Sequence, residues 1–396
     1  MKYDFDQPLN RYHTDSVKWD GAASVFGSDD LLPMWVADMD FPVAAPILKA
    51  LHQRIDHGVF GYTIAGAGVR QAVIDRMQNK YGWKVQPEWL IFTPGVVSGL
   101  SFAVKAYTKV GDHVVIQSPV YFPFMDVAVN NGCQIANSPL RLNGARYEMD
   151  FDSLQQAFEP QDGKTARSSL YILCSPHNPV GRVWSKDELM RAGRIAIDHG
   201  AIVIADEIHG ELIFEGRQHV PFAGISEEFE QNSVVFIAPS KTFNLAGLAA
   251  SVAIIANEKL RQQFQLAASG FMGGVNTLGL TALEAAFREG DEWLTQLLDY
   301  LHGNVRFTLD FLAQRIPEVK AVEPEGTYLM WLDCTGLGMD IRSLRDWMRH
   351  QVKLGLNDGY MFGPGGEGHQ RLNIACPRAL LREALGRLEQ AVSCLR

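Results

Sequence analysis

Short apolar runs punctuate the first two thirds of the chain, at residues 90–92, 114–117, 170–174, 201–205 and 233–238. Each is rich in Val, Ile or Leu and shows no alternation of apolar with polar positions. That is the pattern of a strand buried on both faces of a parallel sheet. Between the runs, residues 46–57 and 69–81 carry apolar side chains at helical spacing, and residues 96–109 read as a helix starting directly after Gly95. Ser185 followed by Glu188 has the form of a capping box, opening a helix that stops near Gly200. The alternation over residues 46–289 predicts an α/β fold with a large, doubly wound sheet. The stretch at 245–256 reads as a loop followed by a further strand. After residue 289 the texture changes. A long amphipathic helix over 291–315, a strand over 327–333 and helices over 340–351 and 378–395 predict a smaller α+β domain. Residues 1–45 have no clear period, although 32–40 sets Met34, Trp35 and Met39 among acidic residues. The expected organisation is an arm (1–45) packing on the small domain or a partner subunit, a large domain (46–289) and a small domain (290–396).

Each strand-like run breaks at once into polar or turn-forming residues. Thr93, Pro94, Gly95, Val96 and Val97 follow the first, and Ser118, Pro119, Val120 and Tyr121 the second. The third leads into Ser175, Pro176, His177, Asn178 and Pro179, the fourth into Asp206, Glu207, Ile208 and His209, and the fifth into Pro239, Ser240 and Lys241. Parallel strands share one carboxyl edge, where open α/β sheets bind ligands. These segments are therefore expected to converge around Lys241. A sheltered amine there can lose its proton and attack a carbonyl.

The 396 residues exceed the ~250–300 at which a single core stops growing, which fits two domains. A net charge of −9 without a basic run argues against nucleic acid or an anionic membrane surface as partner. The five cysteines, Cys133, Cys174, Cys334, Cys376 and Cys394, are scattered and contain no CxxC pair. That disfavours a disulfide scaffold or a metal site and fits a reducing cytoplasm. The first residues lack the apolar core of a signal peptide, and the apolar stretch at 245–256 is too short to span a bilayer.

Taken together, Asn178 with Pro179, Val180 and Gly181, Asp206 with Glu207, and Ser240 with Lys241 and Gly247 resemble the aspartate-aminotransferase-like superfamily of pyridoxal-phosphate enzymes, from Leu31 to the end of the chain. Met34 to Phe41, Val59 to Tyr62, Asp206 to His209 and Ser240 to Asn244 are similar to the cystathionine β-lyase and maltose-regulon-modulator subgroup. The resemblance implies a mostly parallel seven-stranded sheet in the large domain. It also implies roles for single residues. Lys241 holds the aldehyde of pyridoxal 5'-phosphate and, once released by an amino acid, removes the Cα proton. Asp206 pairs with the ring nitrogen, Asn178 meets the phenolic oxygen and Tyr121 stacks on the ring. Gly95, Val96 and Val97 offer backbone N–H groups to the phosphate at a helix start, and Ser240 adds a hydroxyl. Tyr62 reaches the phosphate from the other subunit of a homodimer, and Arg371 clamps the substrate carboxylate.

Each of these residues has a plainer reading too. Asp206 suits a helix N-cap and Asn178 a turn before proline. Tyr121 and Tyr62 suit packing, and Arg371 a surface strand. Two positions depart from the aminotransferase pattern, with Ala249 where an arginine contacts phosphate and His209 where a tyrosine is usual. Both departures agree with the lyase subgroup. His209 is placed with the cofactor-binding residues and given no proton-transfer role. The implied activity is carbon–sulfur β-elimination, releasing thiol, pyruvate and ammonia from L-cystathionine, L-cysteine or an S-conjugate. An aminotransferase, or a regulatory binding protein using the same fold, stands as the alternative.

Overall fold

The computed structural model describes residues 1–159 and 168–396. Seven strands form the large sheet: β1 (Leu90–Thr93), β2 (His113–Ile116), β3 (Gln134–Asn137), β4 (Ser168–Cys174), β5 (Ile202–Asp206), β6 (Ser233–Ile237) and β7 (Ser251–Ile254). Their spatial order is β1-β7-β6-β5-β4-β2-β3. Only β7 runs antiparallel, to both β1 and β6, so the remaining six strands point one way. The mostly parallel, seven-stranded expectation therefore holds.

The absence of polar alternation follows from burial on both faces. Along β4, Tyr171 and Leu173 enter the core on one side of the sheet, and Leu170, Ile172 and Cys174 the core on the other. Helix α1 (Val96–Tyr107) lies close on the sheet at Gly99, where a Cβ would stand 2.3 Å from the Phe236 ring. Helix α2 (Lys186–Asp198) opens with the expected capping box, Ser185 and Glu188 each bonding the other's backbone N–H.

The smaller unit holds a four-stranded sheet in the order β8-β9-β11-β10, with β8 (Lys320–Ala321), β9 (Leu329–Asp333), β10 (Asn357–Asp358) and β11 (His369–Asn373). Helix α3 (Asp291–Arg315) spans the residues its periodicity predicts, and α5 (Arg378–Ser393) closes the chain. Two of the boundaries that differ from expectation have a visible backbone form. Thr327 adopts φ 69° and cannot join the strand, so β9 starts at Leu329. The helix read over 340–351 is α4 (Ile341–Trp347), continued by a π-turn over Met348–Val352.

The arm packs on the small unit. Leu32–Pro33 pairs in parallel with Leu354–Gly355, the Tyr3 N–H donates to Gln296 (2.9 Å), and the Tyr300 hydroxyl donates to Asp6. The two units are pinned together at Arg182, 1 % exposed, whose guanidinium meets Glu325 (2.9 Å) and Glu188 (2.9 Å) and lies over the Trp184 ring. No helix among the described residues is long and apolar enough to cross a membrane.

Candidate active site

The carboxyl ends of β1, β2, β4, β5 and β6 meet at one edge of the large sheet, and the turns leaving them enclose a cavity of about 180 Å³. Gly95, Val96 and Val97 line it from the first turn, Tyr121 from the second and Asn178 from the third. Asp206 and His209 line it from the fourth, and Ser240 and Lys241 from the fifth. The convergence expected from five separated motifs is thus present. Two of the expected residues lie elsewhere: Arg371 stands behind the wall, and Tyr62 is fully exposed on the surface.

Lys241 is partly buried, and its amine donates to the Ala37 carbonyl at 2.7 Å. Burial, reinforced by the positive field of Arg371, lowers its pKa to about 8; Asp38 and Asp206 oppose the shift. The amine therefore loses its proton far more readily than a free lysine, with roughly a tenth of it neutral at pH 7. The Tyr328 hydroxyl donates to the same carbonyl at 2.9 Å, so two donors converge on Ala37.

Asp206 is buried at 4 % exposure. No helix follows it, so the N-cap alternative falls away; the chain turns, and the carboxylate accepts the Ile208 N–H at 3.1 Å. Among the described residues it forms no ion pair. Burial consequently pushes its pKa up to about 7. His209, 3 % exposed, is driven down to about 3 by burial and by Lys241 and Arg371, which keeps the imidazole neutral. Its Nδ1 has no hydrogen-bond partner among the described residues.

At the other end of the cavity, Gly95 caps α1 with φ 119°, a conformation that L side chains rarely adopt. Its N–H donates to the Ser251 hydroxyl (3.1 Å), which also bonds Thr93. The Gly95 donor is therefore engaged. Val96 and Val97 sit in the first turn, where N–H groups have no intrahelical acceptor and the helix dipole favours an anion. Ala249, at φ 46°, lines the cavity with Ala246 and Ala250, a small apolar wall where the aminotransferase pattern has an arginine.

Arg371, on β11, is not the surface arginine its strand suggests, since it is 3 % exposed. It donates to Asn178 Oδ1 (3.0 Å), Asn357 Oδ1 (2.6 Å) and the Trp35 carbonyl (2.9 Å), while its Nε lacks a partner among the described residues. Burial lowers its pKa to about 10. It reaches the site through Asn178, which puts a cation directly behind the cavity wall.

The sequence reading missed several contributors. Ala37 acts through a backbone carbonyl and carries no side-chain signal. Tyr328 sits in an apolar run where it reads as a core aromatic. Cys174 lines the cavity, accepts the Asn178 N–H at 3.4 Å and is held as a neutral thiol by burial. Asn244, present in a quoted motif without a role, donates to the Met39 and Phe41 carbonyls and thereby ties the Lys241 turn to the arm.

The family described as Aminotransferase class I and II matches residues 35–388. Cystathionine beta-lyase PatB of Bacillus subtilis is 44 % identical over 98 % of this chain and 100 % of its own. The structure of cystalysin from Treponema denticola, which contains a pyridoxal 5'-phosphate cofactor, superposes with a TM-score of 0.95 at 36 % identity, covering all of both chains. A pyridoxal-phosphate-bound C–S lyase from Staphylococcus hominis gives 0.92 at 32 % identity, over 99 % of this chain and 98 % of that one. With its motifs gathered at one sheet edge and the match running through both units, the chain belongs to the class I and II aminotransferase family.

Proposed function

We propose that the protein is a pyridoxal-phosphate-dependent carbon–sulfur β-lyase that cleaves a sulfur amino acid such as L-cystathionine into thiol, pyruvate and ammonia. The observation that carries this is the Lys241 amine, able to stand unprotonated on the wall of a cavity whose buried carboxyl group, Asp206, has no cationic partner among the described residues. Full-length likeness to C–S lyases supports the reaction class.

The residues present fit the cofactor. Asp206 would offer a buried carboxylate to a protonated ring nitrogen, and Asn178, on the same cavity wall, would meet the phenolic oxygen. Tyr121 supplies an aromatic face, with His209 beside Asp206. Val96, Val97 and Ser240 supply phosphate donors, with Gly95 shaping the turn that presents them. When bound, pyridoxal phosphate supplies the electron sink that makes the Cα proton acidic and lets a thiolate leave Cβ.

The chain does the rest. Lys241, whose pKa burial lowers to about 8, is suited to take the Cα proton. Ala37 and Tyr328 orient its amine. Arg371, behind the cavity wall and bonded to Asn178, would meet the substrate carboxylate only once that wall opens toward it, and its unpartnered Nε is then a remaining donor.

In this reading the cofactor domain is residues 46–289, the smaller domain 290–396 and the arm 1–45. The exposed run of Val59, Phe60, Tyr62 and Ile64 suits burial against a second copy, with Tyr62 entering the neighbouring cavity. The absence of disulfides among the described cysteines is in keeping with the cytoplasm.

The test is pyruvate release from L-cystathionine by protein saturated with pyridoxal phosphate. Stoichiometric thiol and pyruvate without any added keto acid is the expected result. Amino transfer that requires a keto acid, with no pyruvate formed, would replace the lyase by an aminotransferase.

A further inference from the structure

The segment at 35–41 of the arm runs between the cavity and the arm's first twenty residues, and its carbonyls are taken in turn by side chains from both units. Arg371 donates to Trp35 (2.9 Å), and Asn373 to Val36 and Asp38 (2.6 Å each). Lys241 and Tyr328 donate to Ala37, and Asn244 to Met39 and Phe41. The segment is thus the post to which the reactive amine is tied.

Its acidic side chains meet the arm. Asp38 takes both ends of the Arg11 guanidinium at 3.0 and 2.6 Å. Asp40 accepts from Arg11 (2.8 Å), from the Lys18 amine (2.7 Å) and from the Trp19 indole (2.8 Å). Lys18 is fully buried and the four charges sum to zero. Such a cluster is costly to assemble away from water, and replacing it with apolar residues is often neutral or stabilising. Its presence is therefore weak evidence for a stabilising role. Neither Arg11 nor Lys18 lines the cavity, yet Asp38 follows Ala37 directly, so any shift of Asp38 is carried to the carbonyl that holds Lys241.

We propose that Arg11 and Lys18 are positioning residues of the active site: by clamping Asp38 and Asp40 they hold the Ala37 carbonyl against the Lys241 amine and offset the negative charge of Asp38 beside it. The proposal rests on Lys241 being the reactive amine. The titratable and charged groups that act on this amine are Asp38, Asp206, Arg371 and His209, with the Tyr328 hydroxyl on the shared carbonyl. Asp38 favours the protonated amine. Removing Arg11 leaves that charge less compensated, whereas removing the charge of Asp38 does the reverse.

The experiment is the pH dependence of Lys241 acylation by acetic anhydride in the full-length, cofactor-free chain, read by peptide mass spectrometry with exposed Lys259 as internal reference. Arg11→Gln is expected to raise the Lys241 midpoint by about one pH unit, and Asp38→Asn to lower it by a similar amount. Arg11→Lys should restore most of the midpoint while recovering less of kcat, because one ammonium cannot reproduce the bidentate contact. In the loaded enzyme, Arg11→Gln is expected to lower kcat/KM about tenfold. A purely structural cluster would give lower melting temperatures with the midpoint unmoved, or moved the same way in both variants, and either result overturns the proposal. Should Arg11→Gln not fold, Asp38→Asn decides: a downward shift supports the clamp and an unchanged midpoint rejects it. The acylation readout needs neither substrate nor cofactor, so failure of the C–S lyase reading would be seen separately.

Discussion

Two lysines reach the segment at 35–41 from different parts of the chain. Lys18 is completely buried and has Asp40 at 2.7 Å and Asp38 at 3.9 Å. Lys241 has a backbone carbonyl at 2.7 Å and, among the described residues, no carboxylate within ion-pair distance. The contrast extends to their neighbourhoods. Around Lys18, and again around Arg182 with Glu188 and Glu325, buried charges are matched by opposite charges. Around Lys241 they are not. Asp206 is pushed up, while Lys241, His209 and Arg371 are pushed down, each mainly by burial. A folded chain left to itself pairs its buried charges or neutralises them. Groups held short of pairing in a cavity are completed by a ligand, so the unmatched set marks the site and the matched sets mark its support.

The largest effect that can break this comparison is Lys241→Ala. It is expected to cost at least ~10³-fold in pyruvate release while circular dichroism stays native, because both the covalent anchor and the proton acceptor go. Retention of a tenth of the activity would mean that Lys241 is no different in kind from Lys18. Lys18→Met should act the other way, lowering unfolding free energy by about 3 kcal/mol in urea titrations, since it leaves a buried carboxylate short of a partner.

Asp206→Asn sharpens the contrast through its sign. The folded pKa of Asp206, about 7, lies above the unfolded 3.8, so its relative stability is kept at low pH and lost as pH rises through 7. The cofactor-free variant is therefore expected to unfold at higher urea than wild type at pH 8, by roughly 2 kcal/mol, with a smaller gain at pH 5. Its affinity for pyridoxal phosphate should fall. A stability loss at pH 8 would show that Asp206 is already satisfied by the protein. The smallest effect is expected from Ser251→Ala, which frees the Gly95 N–H and loosens the start of α1. Cofactor affinity, followed by absorbance titration, should weaken several-fold, about 1 kcal/mol.

Most of the architecture was legible because burial leaves a simple trace in sequence. Strands covered on both faces read as unbroken apolar runs, and the polar residues that end them fall on one edge whenever the strands are parallel. Nine of the eleven residues expected at the site line the cavity for that reason. What sequence could not convey depends on contacts between distant segments. Arg371 looks like a surface strand residue, and only the packing of the small unit against the Asn178 turn buries it. Ala37 contributes a carbonyl, which any residue possesses. The acidic pair Asp38 and Asp40 stood out in the sequence, but their cationic partners lie in an arm without periodicity, so the pairing could not be read. The antiparallel direction of β7 was equally hidden, because a central strand is apolar whichever way it runs.

The central claim is that Lys241 captures pyridoxal phosphate at the carboxyl edge of the sheet. Its most direct test is to mix the protein with pyridoxal phosphate, reduce with borohydride and map the peptides. Visible absorbance that bleaches on reduction, with the pyridoxyl mass on Lys241, is the expected result. A colourless mixture, or a label spread over surface lysines while Lys241 stays unmodified, would contradict it.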